Sequence, residues 1–535
     1  MTTQAPAPPA QQELRAPTGS ERIDAARLAE LADRVTHRGE GDEWIEVENP
    51  ATGTLLARVR RCETEDLDLA TRRARAAQAR WRETDFTRRR EILLAYHDLM
   101  LDRQDEVLDV IQLESGKARR HAFEEIMDAA MVARYYARTV ERFLRVQRRR
   151  GAFPFLTAAW EHHHPVGVVG VISPWNYPLT LSISDAVPAI AAGNAVVLKA
   201  DSKTPFSSMM GLKLLEEAGL PKDVLQVVTG SGSDLGPDLI DRVDYVMFTG
   251  STSVGRKVAS QAAERLIPSS MELGGKNAMI VLHDANLARA AEGAERAMFS
   301  NSGQLCISVE RLLVHESIEQ QFLASLVKRV KAMRLGAGLN YDYDMGSLIS
   351  EEQLETVREH VDDAVSKGAT VLAGGRPRPD LGPYFYEPTI LTGAKEGMNL
   401  FADETFGPVV AVSTFSTEEE AIERANASEF GLNFSIWTRD VARARRIAPR
   451  LQAGTVNINE GYIAAWGSID APMGGMKASG IGRRHGATGL LKYTEQQTVA
   501  AQRLLPLAPP PPIGQRLWAR GITAGLRLLR RAGLR

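Results

Sequence analysis

Residues 165–178 read PVGVVGVISPWNYP, from Pro165 to Pro178, and this stretch decides the fold. Val166–Ile172 is apolar without alternation and is bounded by prolines. That is the pattern of a strand buried on both faces, as in a parallel sheet. Working downstream, the spacing predicts a helix over Leu179–Ala191, a strand over Ala195–Lys199 and a helix over Phe206–Ala218. A strand over Val224–Val228, a short helix over Leu235–Ile240, a strand over Tyr245–Phe248 and a helix over Val254–Ala263 follow. A fifth strand ends at Met271-Glu272. Repeated β-α-β units of this length give an α/β chain with a doubly wound parallel sheet, which binds ligands beyond the carboxyl ends of its strands.

Around this unit, Ile23–Tyr136 reads as mostly helical, and Arg148–His164 as an extended excursion. A second α/β run starts at Asn277, and a third stretch, Val409–Asn459, repeats the pattern. A chain of 535 residues exceeds one hydrophobic core, so several lobes are expected. The net charge of −2 gives no basic field for nucleic acid. Cys62 and Cys306 are too few for a disulfide framework and lack ligand-spaced partners, so no metal site is expected. Adjacent residues of His162-His163-His164 would point to opposite faces of a strand, which also argues against a metal. Arg148-Arg149-Arg150 reads as a solvated turn. The start, MTTQAPAPPAQQ, has neither the basic nor the apolar region of a secretory signal, and residues 1–20 read as a disordered tail. No apolar run is long enough for a membrane span, so a cytoplasmic enzyme is expected.

The strand ends collect polar and glycine residues on one rim: Ser173-Pro174-Trp175-Asn176, Lys199-Ala200-Asp201-Ser202, Thr229-Gly230-Ser231-Gly232 and Thr249-Gly250-Ser251. Glycines admit a ligand close to backbone N–H groups, and a helix starting there favours an anion. Neither glycine turn fits GxGxxG. Glu272 in ELGGK is a candidate general base, and Cys306 in NSGQLCIS a candidate nucleophile.

Together, PWNYP, TGSTSVGR, ELGGK, NSGQLC, ETFGPV and PMGGMKASGIGR resemble the aldehyde dehydrogenase superfamily, in its order and with its 34-position spacing from Glu272 to Cys306. The resemblance covers about Ala25 to Ala501. It implies that Cys306 attacks the aldehyde, that Asn176 and the Cys306 N–H hold the oxyanion, and that Glu272 activates water against the resulting thioester. It also implies a nicotinamide cofactor held by Trp175, Asn176, Lys199, Ala200, Asp201, Ser202, Gly230, Gly250, Ser251, Leu273, Glu404 and Phe406. The implied parts are a cofactor-binding domain (21–144 and 165–272), a catalytic domain (273–485) and a small oligomerisation β-flap (145–164 and 486–503). Such a flap pairs with a second copy, giving a homodimer or homotetramer.

NAD-preferring relatives commonly carry a glutamate where this chain has Ser202. A hydroxyl beside Lys199 and Lys203 can accept a phosphate, which favours NADP over NAD. Among subgroups the chain looks most like actinobacterial succinate-semialdehyde dehydrogenase (NADP) proteins. It departs from well-studied members at Ser184 and Ser300, where they hold the substrate carboxylate with arginines, while Ser468 matches an assisting serine. The alternative is a medium- or long-chain or aromatic aldehyde, lined by Phe299, Leu305, Ile307 and Trp466. A Pro-rich linker and basic tail occupy 504–535. From Ile513 the tail has six arginines, no acid, and apolar residues at helical spacing, compatible with peripheral contact on an anionic membrane. Gly514, Gly521 and Gly525 oppose a helix there.

Overall fold

The predicted strand forms over Val168–Ile172 (β1), and every one of its residues is buried. It is the centre of a six-stranded sheet with Ala195–Ala200 (β2), Leu225–Thr229 (β3), Tyr245–Thr249 (β4) and Ser269–Glu272 (β5). The order is (Gly480–Ile481)-β5-β4-β1-β2-β3. β1 to β5 pair in parallel, and only Gly480–Ile481 runs antiparallel, against β5. The strand order reverses at β1, between β2 and β4, which puts the crevice of a doubly wound sheet beside Ser173–Asn176. The computed structural model describes residues 19–39, 43–153, 156–503, 508–509 and 512–533. The tail predicted over 1–20 and the proline linker therefore fall mostly outside the described residues.

The second run and the third stretch join in one seven-stranded sheet. Its strands are Asn277–Val281 (β6), Val309–His315 (β7), Thr370–Ala373 (β8), Thr389–Thr392 (β9), Val409–Phe415 (β10), Asn433–Trp437 (β11) and Thr455–Ile458 (β12). The order is β8-β9-β10-β7-β6-β11-β12. Only β8 is antiparallel to its neighbour. The helix Leu287–Phe299 covers one face with an alanine-rich stripe, Ala290, Ala294 and Ala297. Phe299, expected near a substrate tunnel, is instead in this core beside Met298, because it ends the helix on its buried face.

Three local expectations shift. The helix over Leu179–Ala191 begins as a π-helical stretch, Thr180–Ser184, before the α-helix Asp185–Ala191. Pro188 lies inside that helix and has no N–H to return to the preceding turn. The helices Gly232–Ile240 and Thr252–Glu264 start earlier than predicted, because Ser231 and Ser251 cap them. Within the region read as helical, Trp44–Asn49 and Thr54–Arg60 pair as an antiparallel hairpin.

The chain divides into two compact units, and the larger one, 1–143 with 165–493, contains both sheets. The smaller unit, 144–164 with 494–535, carries a three-stranded sheet in which Thr157–Pro165 lies between Gln147–Arg150 and Thr494–Gln502. The helix Gly486–Leu491, predicted within the flap, belongs to the larger unit, where Tyr136 donates its hydroxyl proton to the Gly486 carbonyl. Residues Gln515–Arg531 form a helix despite their glycines.

Candidate active site

Cys306 is delivered by an unusual turn. After the helix ends at Phe299, Asn301, Ser302 and Gly303 all take positive φ, at 50°, 56° and 72°. Such residues cost roughly 1–3 kcal/mol each unless neighbours impose the conformation. Here they do. Asn301 Nδ2 donates to the carbonyls of Asn176 (2.9 Å) and Gln304 (3.1 Å), and Ser302 Oγ donates to Gly346 O (2.9 Å). Gln304 Oε1 accepts from Ile349 N (2.9 Å). A Cβ at Gly303 would run into the Gly407 carbonyl, so the turn requires glycine there. Asn277 Nδ2 then donates to the carbonyls of Cys306 and Ser308, both at 2.7 Å.

The Cys306 sulfur faces a cavity of about 250 Å3, lined by Trp175, Asn176, Thr249, Gly250, Ser251, Glu272, Leu273, Gly274, Gln353, Glu404 and Phe406. The rims of both sheets meet here. Burial and the nearby Glu404 push the thiol up to about 12, against the pull of Arg484. Near neutral pH the sulfur therefore keeps its proton until a base removes it.

Glu272 ends β5 and is 5% exposed. Its Oε1 has no hydrogen-bond partner and lies 3.9 Å from Arg484 Nε. Burial raises its pKa above the carboxylate range, while Arg484 and Lys492 pull it down. A raised carboxylate pKa makes the ionised group a stronger base for taking a proton. Asn176 donates one amide N–H to Gln304 O (3.0 Å), and its carbonyl accepts from buried Lys117 Nζ (2.7 Å). An amide nitrogen carries two hydrogens, so one remains for a ligand beside Cys306.

Glu404 enters from the far wall and accepts from Gly275 N (2.9 Å). A Cβ at Gly274 would collide with its carboxylate, so the glycine pair admits it. Burial, with Glu310 nearby, lifts Glu404 to about 8. Phe406 takes φ 52° and sets its ring edge-on to Trp175, with centroids 5.4 Å apart. Glu310 holds this turn by accepting from Thr405 N and Phe406 N, both at 2.9 Å, and pairs with Lys276 at 2.5 Å. Gln353 Nε2 donates to the Thr405 and Phe406 carbonyls.

The predicted cofactor residues of the other strand ends lie along the same rim. Lys199 is buried, and burial lowers its pKa. Ser202 Oγ donates to Gly230 O (2.9 Å), and the Lys203 N–H to Asp201 (2.9 Å). Lys203 Nζ points to the exposed Glu352 at 3.9 Å. Ser251 caps the helix Thr252–Glu264, whose N-terminus opens into the cavity. Leu273 N donates to Ser479 O (2.9 Å).

The substrate-side serines are not brought together. Ser184, the last residue of the π-helical turn, borders a separate small cavity with Asp128, Arg484 and His485. Ser468 is exposed, with its hydroxyl donating to Ala464 O. Ser300 is buried, with its hydroxyl donating to Arg296 O (2.9 Å) and its oxygen 2.7 Å from Tyr462 Oη. Leu305 and Ile307 flank Cys306 within an apolar cluster that includes Tyr177, Leu181, Tyr462 and Trp466. Glu124 closes its polar side, accepting from the Tyr177 and Tyr462 hydroxyls, both at 2.8 Å. The sequence reading missed Arg484, Glu310, Lys276, Gln353 and Glu124. Lys276 sits in ELGGK and Arg484 closes IGRR, but the others carry no motif signal.

Residues 36–499 match the aldehyde dehydrogenase family. The chain is 51% identical over 485 residues to a Mycolicibacterium smegmatis protein named "Putative succinate-semialdehyde dehydrogenase [NADP(+)]", covering 91% of this chain and 94% of that one. An E. coli structure described as an NADP dependent enzyme superposes with TM-score 0.83 at 35% identity, covering 86% of this chain and 95% of that one. A Bacillus cereus aldehyde dehydrogenase in complex with NAD+ superposes with TM-score 0.82 at 36% identity, covering 86% and 93%.

Proposed function

The chain belongs to the aldehyde dehydrogenase family, and from that premise we propose that it oxidises succinate semialdehyde to succinate with NADP as hydride acceptor. The observation that carries the chemistry is the convergence of Cys306, Glu272 and Asn176 on one cavity. Glu272 takes the thiol proton, and the Cys306 sulfur bonds to the aldehyde carbon. The free N–H of Asn176 and the Cys306 N–H hold the oxyanion as it forms. A nicotinamide held beside Glu404 and Phe406 would supply the hydride acceptor for this adduct. What remains on Cys306 is a thioester. Glu272 first releases the thiol's proton to solvent, then takes a proton from water as the water oxygen attacks the acyl carbon; that proton passes to the departing sulfur, and the acid leaves with the thiol restored. Glu272 can serve twice because no hydrogen bond ties down its Oε1.

The residues present fit a nicotinamide dinucleotide. Glu404, held among the described residues by Gly275 N, offers an oxygen to a ribose hydroxyl. Ser251 and the helix N-terminus suit the pyrophosphate. Lys199 and the Ser202 hydroxyl suit a 2′-phosphate, since no carboxylate stands at position 202 to repel it. The NADP in the names of relatives supports the same choice.

Succinate semialdehyde rests on the relatives' names, because no arginine stands at 184 or 300. The Tyr462 hydroxyl and Ser300 are the polar groups nearest the apolar cluster that could meet a carboxylate. The test is kcat/KM for succinate semialdehyde against a medium-chain alkanal, each with NADP and with NAD. Preference for succinate semialdehyde with NADP supports the assignment, and preference for the alkanal overturns it. The flap completes a homodimer or homotetramer. Gln147–Arg150 and Thr494–Gln502 are its two edge strands, and open edges pair with another copy.

A further inference from the structure

The helix Gln515–Arg531 lies beyond the part of the chain that matches the family, which ends at 499. No acidic residue follows Glu495. At the α-helical repeat, Arg516, Arg520, Arg527, Arg530 and Arg531 fall within an arc of about 100°. Leu517, Trp518, Ile522, Leu526, Leu528 and Leu529 occupy the rest of the circumference. No residue of this helix is fully buried; Leu517, Leu526 and Leu528 are 67%, 52% and 67% exposed, while Trp518, Ile522 and Leu529 are half-buried.

We propose that this helix is a peripheral docking element for an anionic lipid bilayer, lying in the plane of the interface with its exposed leucines in the acyl boundary and its arginines at the headgroups. Charge selects the partner. Five arginines on one arc have no acid within the helix to pair with, and an anionic headgroup layer supplies that charge along the whole helix. The apolar arc is also wider than the narrow two-residues-in-seven seam used by paired helices, and opposite charges that would flank such a seam are missing. The helix does not cross the bilayer. Its 17 residues span about 26 Å, short of the ~30 Å hydrocarbon core. Among the described residues no helix is long and apolar enough to cross a membrane. The docking concentrates the enzyme where aldehydes arise at or near a lipid surface, and is independent of the identity of the substrate.

The test is flotation of the full-length enzyme with vesicles of equal phosphatidylglycerol and phosphatidylcholine, compared with phosphatidylcholine alone. Binding should be at least about tenfold greater to the anionic vesicles and should fall steeply with added salt. A Leu517→Glu, Leu528→Glu double variant changes two exposed side chains. It should lose flotation by about tenfold or more, with aldehyde turnover in solution and oligomer mass unchanged. Absent flotation, equal binding to neutral vesicles, or full binding by the double variant would overturn the proposal. So would a fall in oligomer mass in the double variant, which would place this face against a second copy.

Discussion

As the proposed nucleophile, Cys306 still has to be activated. Burial and Glu404 hold its thiol up to about 12, so in the proposed mechanism the proton goes to Glu272 as the sulfur attacks. Only ionised Glu272 can accept it. Because burial raises the Glu272 pKa, the acid limb of kcat/KM should lie above the ordinary carboxylate range, with activity lost as pH falls through it. Arg484 favours the ionised form. Arg484→Gln should therefore move that limb to higher pH, while Arg484→Lys should largely keep it; a limb that stays put in Arg484→Gln would remove Arg484 from this role. Glu272→Gln should lower steady-state turnover by about 10²- to 10⁴-fold, measured by cofactor reduction at saturating substrate. Glu124 makes a further pH signal. Burial lifts it to about 7, against the Tyr177 and Tyr462 hydroxyls, so it gains its charge as pH rises through that value. kcat/KM for succinate semialdehyde, relative to an uncharged alkanal, should fall between about pH 6 and 8, and Glu124→Gln should flatten the ratio.

The element that sets the sulfur in place is the turn Asn301–Gly303. Three consecutive left-handed residues are held by Asn176, Gly346 and Ile349 contacts rather than by local preference. Gly303→Ala adds both a φ penalty and a collision with the Gly407 carbonyl. It should lower unfolding stability by about 2 kcal/mol or more and cut turnover, checked by thermal melting alongside rate. Elements of this kind mark where sequence reading stops. The strands β1 to β4 are legible within two residues because buried parallel strands are continuous apolar runs. The start of Thr252–Glu264 was also readable, from Ser251 as its cap, yet periodicity alone put it two residues late. Cys306, Glu272, Asn176 and Glu404 are named by motif. The distances that make them a site come from β5, the 301–303 turn and the Glu310 clamp, which are tertiary. Glu124 and Gln353 lie on helices whose pattern shows only amphipathicity. Ser184 shows another limit, since the π-helical stretch Thr180–Ser184 has no sequence signature and the serine borders a cavity other than the one Cys306 lines.

At the scale of the whole molecule, two parallel sheets bring their carboxyl-end rims to a single cavity, and a separate three-stranded unit offers open edges. Val499 is 41% exposed on the edge strand Thr494–Gln502. Val499→Lys should weaken association, shifting the mass measured by light scattering toward the monomer, with the larger unit still folded. The family match and the two-sheet architecture account for aldehyde oxidation as a class, while the acyl-enzyme chemistry at Cys306 is the claim on which the rest depends. The most direct test is the intact mass of the parent enzyme, acid-quenched within the first turnover of succinate semialdehyde with NADP, followed by peptide mapping. The account predicts one added succinyl group, located on Cys306 and absent when NADP is left out. An unmodified protein after cofactor reduction, or an acyl group mapped to Cys62, would contradict it.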